Sequence, residues 1–232
     1  MDIKVEDLYD LIYNWKNYQK EADEIKDMIK SKKHDAMTVL DVACGTGRHM
    51  EYLNNYYTID GIDISERFIE IAKERNPDSN LWCKDMTTFE IEQQYDVVMC
   101  LFSAIAYVKT YKDLVHTLKQ MKKHTKPKGL IIVEPWFAPD TFYDGNISVT
   151  TGENDEMKVS RMYLSEKKGN VSILHFEYLV GTKKRIMHLS EMHELGLFTE
   201  NEMLSAFKEA GLDTEYDPQG ITGRGMYISK CI

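Results

Sequence analysis

The sequence predicts an α/β fold: a mainly parallel seven-stranded sheet flanked by helices, with an antiparallel β lid inserted after strand five. Three observations carry this expectation. Short apolar runs alternate with helical patterns from Val39 to Pro135, as in a parallel sheet built of βα units. The run VLDVACGTGRH, Val39 to His49, joins a buried strand to a helix through a glycine turn. After Pro135 the pattern changes: residues 137–195 have few helical signals, and apparent strands joined by KKGN and GTKK turns take over.

Residues 5–31 read as one or two amphipathic helices, with Tyr9, Ile12, Tyr13, Tyr18, Ala22 and Ile25 on the apolar face. Strands are expected at 39–43, 57–62, 80–84 and 95–101. Helices are expected near 47–54 and from Ser65, a good N-cap, to Arg75. Residues 111–125 read as a helix, Lys126–Pro127–Lys128–Gly129 as a turn, and GLIIVEP as the fifth strand. Lid strands are expected near 157–164, 171–180 and 184–195. Thr199 and Glu202 form a capping box that opens the helix TENEMLSAFKEAG, and Gly211 closes it. Strands near 213–216 and 225–230 complete the sheet. The expected organisation is a core of residues 1–136 and 196–232, with 137–195 as a lobe over the acceptor site. An insertion at that point lies at the carboxyl edge of the sheet, where such folds bind ligands.

A chain of 232 residues suits one large domain, or one domain with an inserted lobe. The formal charge of −9 argues against nucleic acid as a partner, because phosphate binding needs clustered Lys and Arg. The pairs Lys122–Lys123, Lys167–Lys168 and Lys183–Lys184 are short and scattered, as solvated turns and helix ends are. The four cysteines, Cys44, Cys83, Cys100 and Cys231, show neither CxxC pairing nor metal-ligand spacing, so no metal is expected and a reducing compartment is. The start MDIKVEDLYD lacks the pattern of a signal peptide, and no apolar run is long enough to span a bilayer. A cytoplasmic protein with no membrane partner is the resulting expectation.

The glycine turn holds Gly45 and Gly47, but Arg48 and His49 follow where a dinucleotide fingerprint has its third glycine. A nucleoside cofactor without a pyrophosphate fits better than NAD. Asp63 ends the second strand, TIDGID, where a carboxylate can accept from two ribose hydroxyls. Asp85 ends LWCKD, where it can accept from an adenine amino group, or cap the turn that follows. A lone GxG is weak; this ordered set of strand ends is far more specific.

On these residues the chain resembles the class I S-adenosylmethionine-dependent methyltransferases, whose sheet is Rossmann-like. DVACGTG is similar to their first motif, Asp63 to their ribose acid and Asp85–Met86 to their adenine-contacting pair. The resemblance implies S-adenosyl-L-methionine as the cofactor, held by Tyr18, Ala43, Gly45, Gly47, Asp63, Ile64, Asp85, Met86 and Leu101. Outside this core, YDLIY, NYQKEA, CLFSAIAYV, VEPWFAPDTF, SRMYL, HFEYLV, HLSEMHELGLFT and GITGRGMYIS resemble a narrower family. It comprises the N,N-dimethyltransferases of dTDP-3-amino-deoxyhexoses in deoxysugar biosynthesis.

That narrower resemblance implies transfer of one or two methyls to the amine of a nucleotide-linked amino sugar. It puts Tyr9 near the reacting methyl, Ser103 beside the acceptor and Trp136 in the pocket wall. Arg161 and Arg224 become candidates for the diphosphate, since a guanidinium can fork onto phosphate oxygens. His188, Glu191 and His193 come from the lid; Glu191 and His193 share one parity along their strand and His188 has the other. Tyr107 stands where the antibiotic-pathway members have a histidine, and a phenol with an unperturbed pKa of about 10 is a poor base. The resemblance further implies a homodimer through the lid strands. Two alternatives stay open on the residues: C- or O-methylation of another small metabolite, and a non-catalytic module that only binds the cofactor.

Overall fold

The computed structural model describes residues 3–231. A 3₁₀ turn, Val5–Leu8, runs into the short helix α1 (Tyr9–Ile12), and α2 (Tyr18–Lys32) follows. The Asn17 side chain caps α2 by accepting from the Lys20 amide, and Tyr18, Ala22, Ile25 and Ile29 form its buried stripe. The βα units then come in sequence: β1 (Thr38–Val42), α3 (Arg48–Leu53), β2 (Thr58–Asp63), α4 (Glu66–Arg75), β3 (Leu81–Cys83) and β4 (Tyr95–Cys100). A 3₁₀ turn at Ala104–Val108, α5 (Tyr111–Lys123) and β5 (Thr125–Val133) complete this half. The remainder is β6 (Ile147–Glu153), β7 (Met157–Lys168), β8 (Val171–Thr182), β9 (Ile186–Gly196), α6 (Glu200–Glu209), β10 (Asp213–Asp217) and β11 (Met226–Lys230).

Seven strands form one sheet in the order β10-β11-β5-β4-β1-β2-β3. Only β11 runs against its neighbours, pairing antiparallel with both β5 and β10. The chain leaves β1 for β2 on one side and later returns to β4 on the other, so the order reverses between β1 and β4. That reversal opens a crevice at the carboxyl ends of the strands. Both faces of the sheet are covered, which explains why the central strands are apolar throughout rather than alternating. Leu40, Val98 and Ile131 pack on one side with Leu118 of α5 and Phe207 of α6. Val39, Val97 and Ile132 pack on the other with Ile25 of α2 and Met50 of α3. Burying each such side chain contributes roughly 1.5–3 kcal/mol, which outweighs the weak propensities of these short elements.

β6 to β9 form a second, fully antiparallel sheet in sequence order. Its inner face packs on the N-terminal segment: Leu8 and Ile12 meet Val159, Phe176, Tyr178 and Val180 in a third core. α1 lies so close to β6 that a Cβ on Gly152 would collide with the Leu11 carbonyl.

The structure departs from the sequence expectation in two places. A fourth lid strand, β6, is present; its polar ISVTTGE carries little hydrophobic alternation, and its pairing with β7 makes it a strand. The KPKG segment is no free turn. It is taken up in β5, whose register with β4 shifts between Tyr95 and Val97, and Lys128 absorbs the irregularity at φ 62°.

Candidate active site

A cavity of about 890 Å³ lies at the β1/β4 crevice, between the carboxyl ends of the large sheet, the N-terminal segment and the inner face of the lid. The glycine loop forms its floor. Gly45 and Gly47 take left-handed backbone angles (φ 56° and 72°), which let the chain turn from β1 into α3 within a few residues. The loop is braced from behind. Asn76 donates to the Gly47 carbonyl at 3.1 Å, Thr46 donates to Asp10 at 2.8 Å, and Arg75 bridges Asp10 and the Thr46 carbonyl.

Asp63, at the tip of β2, accepts from the Gly45 amide at 2.9 Å through one oxygen and from the Ser65 amide at 2.9 Å through the other. Burial raises its pKa, while these amides hold it down. Asp41, one strand away, has no such donors, and burial together with the Asp63 carboxylate pushes it up to about 8. Two buried carboxyl groups on one wall make the crevice receptive to hydroxyl groups, Asp63 as an acceptor and Asp41, protonated below about pH 8, as a neutral partner. Further along that wall, Asp85 accepts from both the amide and the hydroxyl of Thr87 at 2.7 Å, which fixes its orientation at the cavity.

Opposite sits a cluster of rings. Tyr9 lies 4.6 Å from Tyr13 and 5.3 Å from Phe68, centroid to centroid, and Tyr13 lies 5.3 Å from Phe102. Aromatic faces of this kind shelter a cation. Burial, then neighbouring Tyr18 and Tyr13, raise the Tyr9 pKa, so it stays a neutral phenol. Tyr18 Oη is buried against the same cavity with no hydrogen-bond partner among the described residues, and Arg48, packed over the Tyr18 ring, has its Nε 3.7 Å from Asp10, ion-paired but beyond hydrogen-bond reach. Orphaned buried donors are costly unless a ligand takes them. An amino-acid carboxylate is the group whose chemistry matches this pair. These donors, the Asp63 oxygens and the ring cluster together fit S-adenosylmethionine.

The other end of the cavity belongs to the lid and the loops after β4 and β5. Phe102 and Ser103 both adopt positive φ (50° and 62°), uncommon for residues with a Cβ and typical of a loop held in place for a task. The holder is Glu134, fully buried at the end of β5. It accepts from the Phe102 amide at 2.6 Å and from the Thr222 hydroxyl, so one carboxylate ties the loop after β4 to the turn before β11. That turn carries Arg224, which donates to Ser103 Oγ at 3.2 Å and lies 5.2 Å over the Trp136 ring. Trp136 is itself fixed by donation to Ser172 at 3.0 Å. Arg161 points inward from β7; it donates to Tyr13 Oη at 3.1 Å, stacks between Tyr13 and Phe176, and leaves its Nε without a hydrogen-bond partner among the described residues.

Of the residues singled out in the sequence, Tyr9, Tyr18, Ala43, Gly45, Asp63, Ile64, Asp85, Met86, Leu101, Ser103, Tyr107, Trp136, Arg161, His193 and Arg224 line this cavity. Three do not. Gly47 turns away to start α3 against Asn76 and Ala72. Glu191 lies behind His193, which it meets at 3.0 Å, and it also accepts from Tyr178. His188 falls on the outer face of the lid, where it pairs with Glu177 at 2.6 Å. Sequence reasoning missed Tyr13, Phe102, Phe176 and Arg48 as cavity residues. The i, i+4 spacing of Tyr9, which opens α1, and Tyr13, which caps it, was the one available signal. Among the described residues no three His, Cys, Asp or Glu side chains are grouped to hold a metal, and no helix is long and apolar enough to cross a membrane.

Comparison with known proteins agrees with this geometry. A family profile described as "Methyltransferase domain" matches residues 39–129, from β1 into β5. The dTDP-3-amino-3,4,6-trideoxy-alpha-D-glucopyranose N,N-dimethyltransferase of Streptomyces venezuelae is 35% identical, over 96% of this chain and 95% of its own. The crystal structure of Streptomyces venezuelae DesVI superposes with a TM-score of 0.94 at 33% identity, covering 100% of both chains. The structure of SAM-bound CalS10, an amino pentose methyltransferase from Micromonospora echinaspora, superposes with a TM-score of 0.87 at 29% identity, covering 100% of this chain and 98% of that one. The likeness thus runs from end to end, lid included, and the chain belongs to the class I S-adenosylmethionine-dependent methyltransferases, in the branch that contains the dTDP-amino-deoxysugar N,N-dimethyltransferases.

Proposed function

We propose that this enzyme methylates the amine of a nucleotide-linked amino deoxysugar, once or twice, with a dTDP-amino-deoxyhexose as the acceptor. The observation that carries the reading is Arg224. Fixed on Ser103 and framed by Trp136 and Phe102, it stands at the lid end of the same cavity whose other end fits the cofactor. A diphosphate there would take the guanidinium, with Arg161 as a second candidate from the lid. The core of residues 1–136 and 196–232 then holds the cofactor, and 137–195 closes over the acceptor.

When bound, S-adenosylmethionine would supply an electrophilic methyl group for displacement by the amine lone pair, with its sulfur as the leaving group. The protein's part is alignment and exclusion of water. Asp63 would take the ribose hydroxyls and Asp85 with Met86 the adenine. Ala43, Gly45, Ile64 and Leu101 would shape the walls, with Gly47 setting the loop. Tyr18 and Arg48 would bind the carboxylate. Tyr9 and its neighbouring rings would face the positive charge, and Ser103 would lie beside the sugar.

The outer face of the lid leaves Ile147, Val149, Met162, Leu179, Ile186 and Met192 exposed, a patch suited to pairing with a second copy of the chain. Light scattering of the pure protein tests that dimer. The functional reading is tested by mass spectrometry of products from a panel of nucleotide-linked amino sugars. Gain of one or two methyls on nitrogen is expected; methylation of carbon or oxygen alone, or of none of the panel, refutes it.

A further inference from the structure

A chain of close polar contacts runs from the cavity into the lid. Tyr107, on the 3₁₀ turn Ala104–Val108, meets His193 Nδ1 of β9 at 2.6 Å. His193 Nε2 in turn meets Glu191 at 3.0 Å. The carboxylate at Nε2 places the ring proton there, so Nδ1 is bare and accepts from the Tyr107 hydroxyl. The lone pairs of the Tyr107 oxygen are left for a donor inside the cavity, which both Tyr107 and His193 line.

We propose that His193, backed by Glu191 and reached through the Tyr107 hydroxyl, takes up the proton that the acceptor amine must lose. The inference rests on the amine-methylation reading above. An alkylammonium has no lone pair with which to attack, and the methylated product carries a proton that must go before a second methyl can be added. An N–H bond of the ammonium breaks and its hydrogen goes to the Tyr107 oxygen. At the same time the hydroxyl hydrogen of Tyr107 goes to His193 Nδ1. The imidazolium so formed keeps its Nε2–H against the Glu191 carboxylate and later returns the proton to solvent.

The surroundings support each role. Although Tyr107 as a residue is 47% exposed, desolvation of its hydroxyl first, then Tyr13 and Glu191, raise its pKa, which suits it to relay a proton rather than hold a negative charge. Although burial works against it, His193 holds the Glu191 carboxyl below its ordinary range, which keeps it ionised. The groups facing the pair from the other elements are few. Tyr178 of β8 donates to Glu191, and Arg161 of β7 lies close enough to act on its charge. The Phe176 ring edge covers the imidazole at 5.2 Å. Lys109 is taken up by Glu194 at 2.7 Å. Histidine is the one side chain whose ordinary titration spans neutral pH.

The test has two arms. In the first, imidazole NMR of the cofactor-free enzyme follows the His193 titration, identified by its disappearance in His193→Gln. Glu191→Gln and Tyr107→Phe should each change the His193 ring resonances. In the second, the rate is followed against pH. His193→Gln should lose about 10²-fold in kcat at neutral pH with KM little changed. The loss should shrink to a few-fold near about pH 9.5, where the free amine forms unaided. A His193→Gln enzyme with the wild-type rate and pH profile overturns the relay, as do His193 ring resonances indifferent to both partner substitutions. A wild-type enzyme that methylates no nucleotide-linked amine refutes the functional reading, and this inference with it. One that methylates amines while either arm fails refutes the relay alone.

Discussion

Replacing each glycine of the β1–α3 loop by alanine separates backbone cost from packing cost. At Gly45 the added methyl meets nothing within 4 Å, so the penalty is the left-handed backbone alone, about 1 kcal/mol. At Gly47 the same backbone penalty applies, and the methyl also lands 2.5 Å from Asn76 Nδ2 and 3.1 Å from Ala72 Cβ. Asn76 is buried, and it donates to the Gly47 and Ala72 carbonyls at 3.1 Å while accepting from Asn54 at 2.9 Å. Displacing it leaves buried polar groups unpaired, a further ~1–3 kcal/mol. Gly47→Ala should therefore cost about 3 kcal/mol in total and Gly45→Ala about 1. For a chain of this size that is a fall in Tm of roughly 6–12 °C against roughly 2–4 °C. Urea denaturation of the cofactor-free protein measures both. Equal losses, or a larger loss at Gly45, would refute the reasoning.

Further outcomes follow from the site. Asp63→Ala should weaken S-adenosylhomocysteine binding in calorimetry by about 10²-fold or more, because two charge-assisted hydrogen bonds are lost together, while acceptor binding changes little. Arg224→Ala should do the reverse, raising the KM for the nucleotide sugar with cofactor affinity near wild type; an equal fall in both would disprove the diphosphate assignment. Asp41 keeps its proton up to about pH 8 in the folded protein, whereas in the unfolded chain it loses it near the ordinary carboxyl value of 3.8. Between those values the folded state binds more protons, so stability falls as pH rises across this window. Asp41→Asn should flatten the slope in denaturation curves recorded from acid to mildly alkaline pH. Gly152→Ala should push α1 off β6 and loosen Tyr9 and Tyr13, seen as weaker cofactor binding with the large sheet intact by hydrogen exchange.

The parts of this molecule that are local in sequence were readable from sequence. Ser65 caps α4 by accepting from the Phe68 amide, and Thr199 with Glu202 forms the capping box of α6, because each signal spans three residues. The parity of β9 separated the inward Glu191 and His193 from the outward His188, but it did not keep His188 and Glu191 off the list of substrate-binding candidates, and neither lines the cavity. What failed were features that depend on partners distant in the chain. β6 is a strand because β7 is beside it, and KPKG is a bulge because β4 pulls it into register. Tyr107 looked like the loss of an imidazole. The fold supplies one in His193, from 86 positions further along, which no local pattern could reveal.

The clamp by Glu134 has a consequence for how this enzyme class diversifies. The loop after β4 is fixed through the Phe102 main-chain amide, held by Glu134, and through the Ser103 hydroxyl bond to the Pro135 carbonyl at 2.7 Å. Neither bond involves the side chain displayed four positions beyond Ser103, at Tyr107, which lines the cavity. A mutational drift that retunes which sugar is accepted can proceed there by single exchanges, with the frame that aims them left standing.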